Sequence, residues 1–176
     1  MKKNIFLFCL TLLAACSPNL KSEMQQWENA QKDLAAFSTQ YTGFQTVINE
    51  AVNKAKTDWQ SAESLTDEKE KAKKFSDTND SLRDDTGKFT EIKYKVEGVQ
   101  KGITALNALK LDKSADAKRN EAVNQATTKL QEVETLLGTA TPTTLAEAQD
   151  KAKEAISTLI STQGLVDRAQ KAVKSK

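Results

Sequence analysis

The sequence predicts an all-α fold: an antiparallel helical bundle of coiled-coil character, made of two helical hairpins and about four helices, the first two of them long. Two observations carry most of that prediction. Apolar residues recur at steps of three and four over long stretches, the pattern of helices packed side by side. The chain also holds only two prolines and six glycines among abundant Ala, Lys, Glu, Gln, Thr and Leu, a composition that favours helix throughout.

The first helix is predicted from Leu20 onward. Its apolar positions are Leu20, Met24, Trp27, Ala30, Leu34, Phe37, Tyr41, Phe44, Ile48, Val52, Ala55, Trp59 and Ala62. Every step is three or four, averaging about 3.5, which is the seam of one helix lying against another at a shallow angle. Unbroken, this stretch would run about 63 Å at 1.5 Å per residue. Ser64-Leu65-Thr66-Asp67 then reads as a turn and a helix start. Asp67, Glu68 and Glu70 fall at the positive end of the next helix dipole.

The second helix has its seam at Ala72, Phe75, Leu82, Phe89, Ile92, Val96, Val99, Ile103, Leu106 and Leu109, with polar Asn79 and Thr86 in the gaps. Ile92 to Val96 also alternates like a strand, but the helical seam continues on both sides and decides for helix. Folding the two helices across a turn near residue 65 pairs Trp27 with Ile103, Leu34 with Val96, Tyr41 with Phe89, Ile48 with Leu82 and Ala55 with Phe75. Gly43 and Gly87 then fall at one level, as a close helix contact or a shared flexible point.

Asp112-Lys113-Ser114 ends the second helix and opens the third, with Ser114 or Asp112 as cap. The third seam is Ala115, Ala122, Ala126, Leu130, Val133 and Leu137, and Gly138 is placed as the residue just past its end. Thr139 to Thr143, with Pro142, is a turn. Thr144-Leu145-Ala146-Glu147 reads as a capping box for the fourth helix. Leu145, Ala152, Leu159, Val166 and Val173 then recur every seven residues, and the hairpin pairs Val123 with Leu159, Ala126 with Ile156 and Leu130 with Ala152. The second hairpin is shorter than the first. Residues near 45–85 are therefore expected to project as a two-stranded arm, with Arg168, Lys171, Lys174 and Lys176 returning toward the start of the chain. A break at Gly43 and Gly87 would instead give a compact bundle.

The first residues have a different character. Lys2 and Lys3 precede an apolar run from Ile5 to Ala15, which is about 11 residues and too short for the roughly 20 of a membrane span. The run ends Leu13-Ala14-Ala15-Cys16, which resembles the signal of bacterial lipoproteins. The resemblance covers residues 1–17 and implies cleavage before Cys16, with lipid on its sulfur and an acyl group on its new amino end. Two or more chains hold a protein stably at a bilayer, where one does not. Ser17, rather than Asp, follows the cysteine. By similarity to Gram-negative sorting this implies the outer membrane. The expected organisation is thus 1–15 signal peptide, 16–19 lipidated tether and 20–176 a single helical domain, with hairpins at 20–110 and 114–174.

Without residues 1–15, 161 residues remain, one domain in size, with 24 basic and 24 acidic side chains. That balance gives no expectation of nucleic-acid binding. Histidine is absent, Cys9 leaves with the signal and Cys16 is expected to be lipid-blocked, so Ser-His-Asp or Cys-His catalysis and Cys/His metal sites have no residues to build on. Asp77 to Lys88 superficially resembles a calcium loop. It carries Leu82 where glycine is required and Lys88 where glutamate is required. Asp77, Asp80 and Asp84 are therefore read as a solvated helix face. The N-terminal cysteine and the terminal Lys176 are similar to the two ends of Braun's lipoprotein of enteric outer membranes, whose lysine joins peptidoglycan. A frayed basic tail is the preferred reading of Lys174-Ser175-Lys176.

The functional expectation is a non-enzymatic, lipid-anchored module of the cell envelope with no cofactor, acting in protein interaction or as a spacer. Its expected partners are the membrane, through lipid on Cys16, and an envelope or extracellular protein, met by the arm surface around Lys73 and Asp84. Seams of this period equally allow a homo-oligomer. The alternative is a bundle that binds a small apolar ligand between its helices, which requires a cavity of about 300 Å³ or more.

Overall fold

The computed structural model describes residues 19–174. They form five α-helices: α1 Leu20–Gln40, α2 Gln45–Glu63, α3 Glu68–Asn107, α4 Lys113–Thr139 and α5 Leu145–Lys174. No strand occurs among the described residues. The helical class follows the sequence. The helix count differs by one, because the long first helix is broken at Tyr41–Phe44. The residues of the signal, including Cys16, lie outside the described residues, as does Lys176.

α3 is the spine. Its 40 residues span about 60 Å, and Ile92 to Val96 are helical within it. Asp67 caps it by accepting the amide hydrogens of Lys69 and Glu70 at 2.9 and 2.8 Å. α2 runs antiparallel to its first half across the 64–67 turn, as the seams imply, with Trp59 stacked on Phe75 at 3.8 Å between ring centroids.

α1 does not take the predicted register. At Tyr41 the helix closes with an amide bond back to Phe37 O, and a single 3₁₀ turn, Thr42–Phe44, leads directly into α2. α1 therefore folds back along α2, which brings the Trp27 and Trp59 rings to 4.7 Å at an interplanar angle of 11°. α1 ends up parallel to α3. Glu23 meets Asn79, Asp33 meets Lys93 and Phe37 meets Phe89. The antiparallel pairing of Trp27 with Ile103 and of Leu34 with Val96 is thus replaced, and the expected two-stranded arm is a three-helix layer.

The gap in the α3 seam is filled by this return. The Asn79 side-chain amide donates to Glu23 O at 2.9 Å and to Glu23 Oε2 at 2.8 Å, both residues being buried. Buried polar groups of this kind need such partners. Buried Thr86 donates to its own helix at Leu82 O.

The second half of α3 is covered by α4 and α5. α4 returns antiparallel and is capped by Asp112, whose carboxylate accepts from Ala115 N at 2.8 Å. The helix continues through Gly138 to Thr139. No described glycine has positive φ, so the expected left-handed glycine cap at Gly138 is not formed. Thr144 caps α5 through Glu147 N at 3.2 Å. The Glu147 carboxylate reaches one residue further than a strict capping box, to Thr143 N and Oγ1 at 2.8 and 2.9 Å, and these bonds hold its carboxyl below the usual carboxylate range.

α5 then runs parallel to α3. Gln149 donates to Asp85 O, and Gln170 donates to Gly102 O at 3.4 Å. Gly102 permits a close crossing, since a Cβ there would lie 2.5 Å from Val166 Cγ1. Two three-helix layers therefore share α3. They meet where the Tyr41–Phe44 corner abuts the α4–α5 turn.

This topology reverses the expected polarity. Trp27, Trp59, Phe75 and the Glu23–Asn79 pair place the 64–67 turn at the same end as the start of α1. Gln170 bonds at Gly102, 23 residues beyond Asn79 and hence about 35 Å along α3. The C-terminal turns of α5 lie at the end opposite the start of α1, together with the α3–α4 turn.

Candidate functional site

The joint between the two layers is aromatic on one side. Phe37, Phe44 and Phe89 are buried, with centroid separations of 5.2 to 5.9 Å. On the other side lies the Ala140 turn. Gly43 faces Ala140 so closely that a Cβ would come within 2.0 Å of its carbonyl oxygen. Tyr41 pins the joint by donating its hydroxyl to Glu134 Oε2 on α4 at 3.0 Å, and Gln40 donates to the same hydroxyl at 3.0 Å. Burial, followed by the charge of Glu134 and the hydrogen bond to it, pushes the phenol well above its ordinary 10.0.

A phenol with a raised folded-state pKa contributes stability that is complete below the unfolded value, and it loses that contribution as pH rises above it. The urea midpoint of the native chain should therefore fall as pH climbs beyond about 10. Tyr41→Phe should start lower but show a flatter decline. Parallel curves for the two proteins would mean that Tyr41 ionises as freely in the fold as outside it.

A ligand cavity at this aromatic–alanine boundary was the structural requirement of the small-ligand alternative. The space there, beside Tyr41, Ile92, Val96 and Glu134, holds about 240 Å³, below the roughly 300 Å³ at which ligand pockets begin. A larger groove of about 610 Å³ lies between α1 and α3, but it is an open surface feature flanked by polar side chains. Its Asp33 is taken up by Lys93 at 2.8 Å and by the Tyr94 hydroxyl at 3.3 Å, and Arg83 pairs with Asp80 at 2.7 Å. Gly87 lines this groove, so the two glycines once matched in register have separate roles. Among the described residues no three or more His, Cys, Asp or Glu form a metal-binding group. Asp77, Asp80 and Asp84 are all exposed on α3.

The most polarised part of the surface is the end formed by the α3–α4 turn and the last turns of α5. Residues 101–119 and 160–173 carry seven basic and three acidic side chains, whereas residues 19–100 and 120–159 carry 15 basic and 21 acidic. Arg119 is structural: it pairs with Asp116 and donates to Leu109 O at 2.9 Å, closing the end of α3. Lys110, Lys113, Lys118, Arg168 and Lys171 are exposed and make no ion pair among the described residues. Lys118 borders a small depression of about 60 Å³ between α4 and α5, lined by Ala115, Ala169 and Val173.

A net charge of only +2 hides this end in the sequence, because its members come from two segments about 50 residues apart that only the topology brings together. The basic tail was visible but was expected at the opposite end. Lys73 and Asp84, the positions singled out on the arm, are exposed, but they lie on a stretch of α3 flanked by α1 and α2. No described helix is long and apolar enough to cross a membrane. Comparison with protein-family models, with curated proteins and with solved structures finds no match.

Proposed function

We propose that this chain is a lipid-anchored, non-enzymatic module of a bacterial cell envelope that holds an interaction surface away from the membrane. The observation that supports the reading most is the placement of Leu13-Ala14-Ala15-Cys16 just before the fold. Asn19 already caps α1, accepting the Lys21 amide at 3.0 Å. The three residue steps from Cys16 to Asn19 can reach no more than about 11 Å. With lipid on Cys16, the start of α1 and the 64–67 turn sit beside the bilayer, and α3 carries the α3–α4 turn outward. Asn107, the last residue of α3, lies about 42 Å along it from Asn79. Ser17 favours the outer membrane in a Gram-negative host. The partner in this reading is an envelope or extracellular protein.

Metabolic labelling with an alkyne fatty acid, followed by mass spectrometry of the mature N-terminus, tests the anchor. The expected result is a chain starting at Cys16 that carries lipid, with the label lost in Cys16→Ala. A mature chain that begins elsewhere and takes up no label would end the reading.

A further inference from the structure

Resting on the module reading above, we propose that the basic end is a docking site for an acidic amphipathic helix of a partner protein, laid over the depression between α4 and α5. Three observations support it. First, five exposed cations, Lys110, Lys113, Lys118, Arg168 and Lys171, are gathered at one end without ion-pair partners among the described residues, while the other described residues are net acidic. Uncompensated like charges repel one another and lower stability, so their clustering calls for an anionic counterpart.

Second, helix electrostatics accounts for only part of the cluster. Arg168 and Lys171 sit in the C-terminal turns of α5, where the dipole favours cations. Lys113 is the first residue of α4, where the dipole favours anions, and Lys110 lies in the preceding turn. These two work against the helix they adjoin, whose N-terminus Asp112 already caps, so helix electrostatics does not account for their presence at this end.

Third, the floor fits a helix better than other polyanions. Ala115, Ala169 and Val173 are small and apolar. They let a second backbone approach closely, and Lys118 at their edge can meet the acidic flank of an amphipathic helix, with the other cations of this end nearby. Single-stranded nucleic acid binds largely by stacking on aromatic side chains. The last aromatic residue of the chain is Tyr94, before this end begins.

The test uses the full-length protein in detergent micelles and a fluorescein-labelled synthetic helix of about 20 residues, with Leu and Ala on one face and Glu on the other. A Gln-for-Glu version, a DNA duplex, and phosphatidylcholine vesicles containing phosphatidylglycerol are the comparison probes. The acidic helix should bind, more weakly as salt rises, and the Gln version should not. The combined change Lys110→Glu, Lys118→Glu, Arg168→Glu and Lys171→Glu should weaken binding by about tenfold or more, the range expected when four favourable charges become repulsive. The corresponding Gln variant should lose less and serves if the Glu variant melts early. The combined change Lys32→Glu, Lys54→Glu, Lys56→Glu and Lys73→Glu should leave binding as it is.

Equal losses in the two charge-reversed sets, or tighter binding of duplex or vesicles than of the helix, would overturn the proposal. Photo-crosslinking in the source cell separates this failure from that of the module reading. Adducts at Lys73 or Asp84 but none at Lys118 or Lys171 would dismiss this site and keep the module. No adduct at any position would dismiss both.

Discussion

Replacing Trp59 with alanine should cost about 3–5 kcal/mol, among the largest losses that a single truncation produces. The ring is 7% exposed and lies between Trp27 at 4.7 Å and Phe75 at 3.8 Å. Its removal leaves two aromatic faces without a neighbour and opens a gap that joins three helices. For a domain whose total stability is about 5–15 kcal/mol, the midpoint of melting should drop by roughly 10 °C.

The same stack gives a spectroscopic signature. Two indoles this close couple their transitions and, where their long axes are twisted relative to each other, produce a paired positive and negative band in circular dichroism. Trp27→Phe or Trp59→Phe should abolish that pair of bands while disturbing the packing far less than alanine. The signature depends on the fold-back of α1. On one straight helix, Trp27 and Trp59 would stand about 48 Å apart and could not couple. Coupled bands that are present in the wild type and vanish in each variant would therefore establish the corner at Tyr41–Phe44, whatever the melting data show.

That corner is what the sequence conceals. Tyr41, Phe44 and Ile48 continue the helical seam at steps of three and four, so the apolar pattern runs through the break without losing phase. A lone glycine costs a helix only about 1 kcal/mol, too little to announce a reversal, and tertiary contact decides the matter. Two hints were legible: Gly43, one of the two positions named for a break, lies in the 3₁₀ turn while Gly87 stays within an unbroken helix, and the polar gap at Asn79 is where Glu23 docks once α1 returns.

Elements fixed by local chemistry were readable. Asp67 caps α3, Thr144 caps α5, and α2–α3 and α4–α5 reverse across turns rich in polar residues and proline. The direction of the molecule was not readable, because it depends on how many times the chain reverses. One additional reversal moves the C-terminal cations from the end where α1 begins to the far one. The basic end was invisible for the same reason: composition averages over the two ends that topology keeps apart.

The two glycines once aligned at a single level should respond to alanine with opposite signs. Gly43→Ala places a methyl group 2.0 Å from the Ala140 carbonyl oxygen and 3.1 Å from its carbon. Both are backbone atoms that no rotamer change can move aside. Gly43 has no positive φ, so the requirement is for space rather than for backbone freedom. The loss should reach the upper end of the overpacking range, about 3 kcal/mol. Hydrogen exchange should accelerate on both sides of the joint, in the last turn of α1 and in the last turn of α4. Gly87→Ala meets only Arg83 Cγ at 3.4 Å, on a flexible, exposed side chain, within an unbroken helix. It should stabilise the chain by about 0.5–1 kcal/mol, the helix penalty it removes. Two destabilisations of similar size would mean that both positions lie at a common packed contact. A neutral Gly43→Ala would mean that the corner does not seat against the α4–α5 turn, and that the two layers are joined through α3 alone.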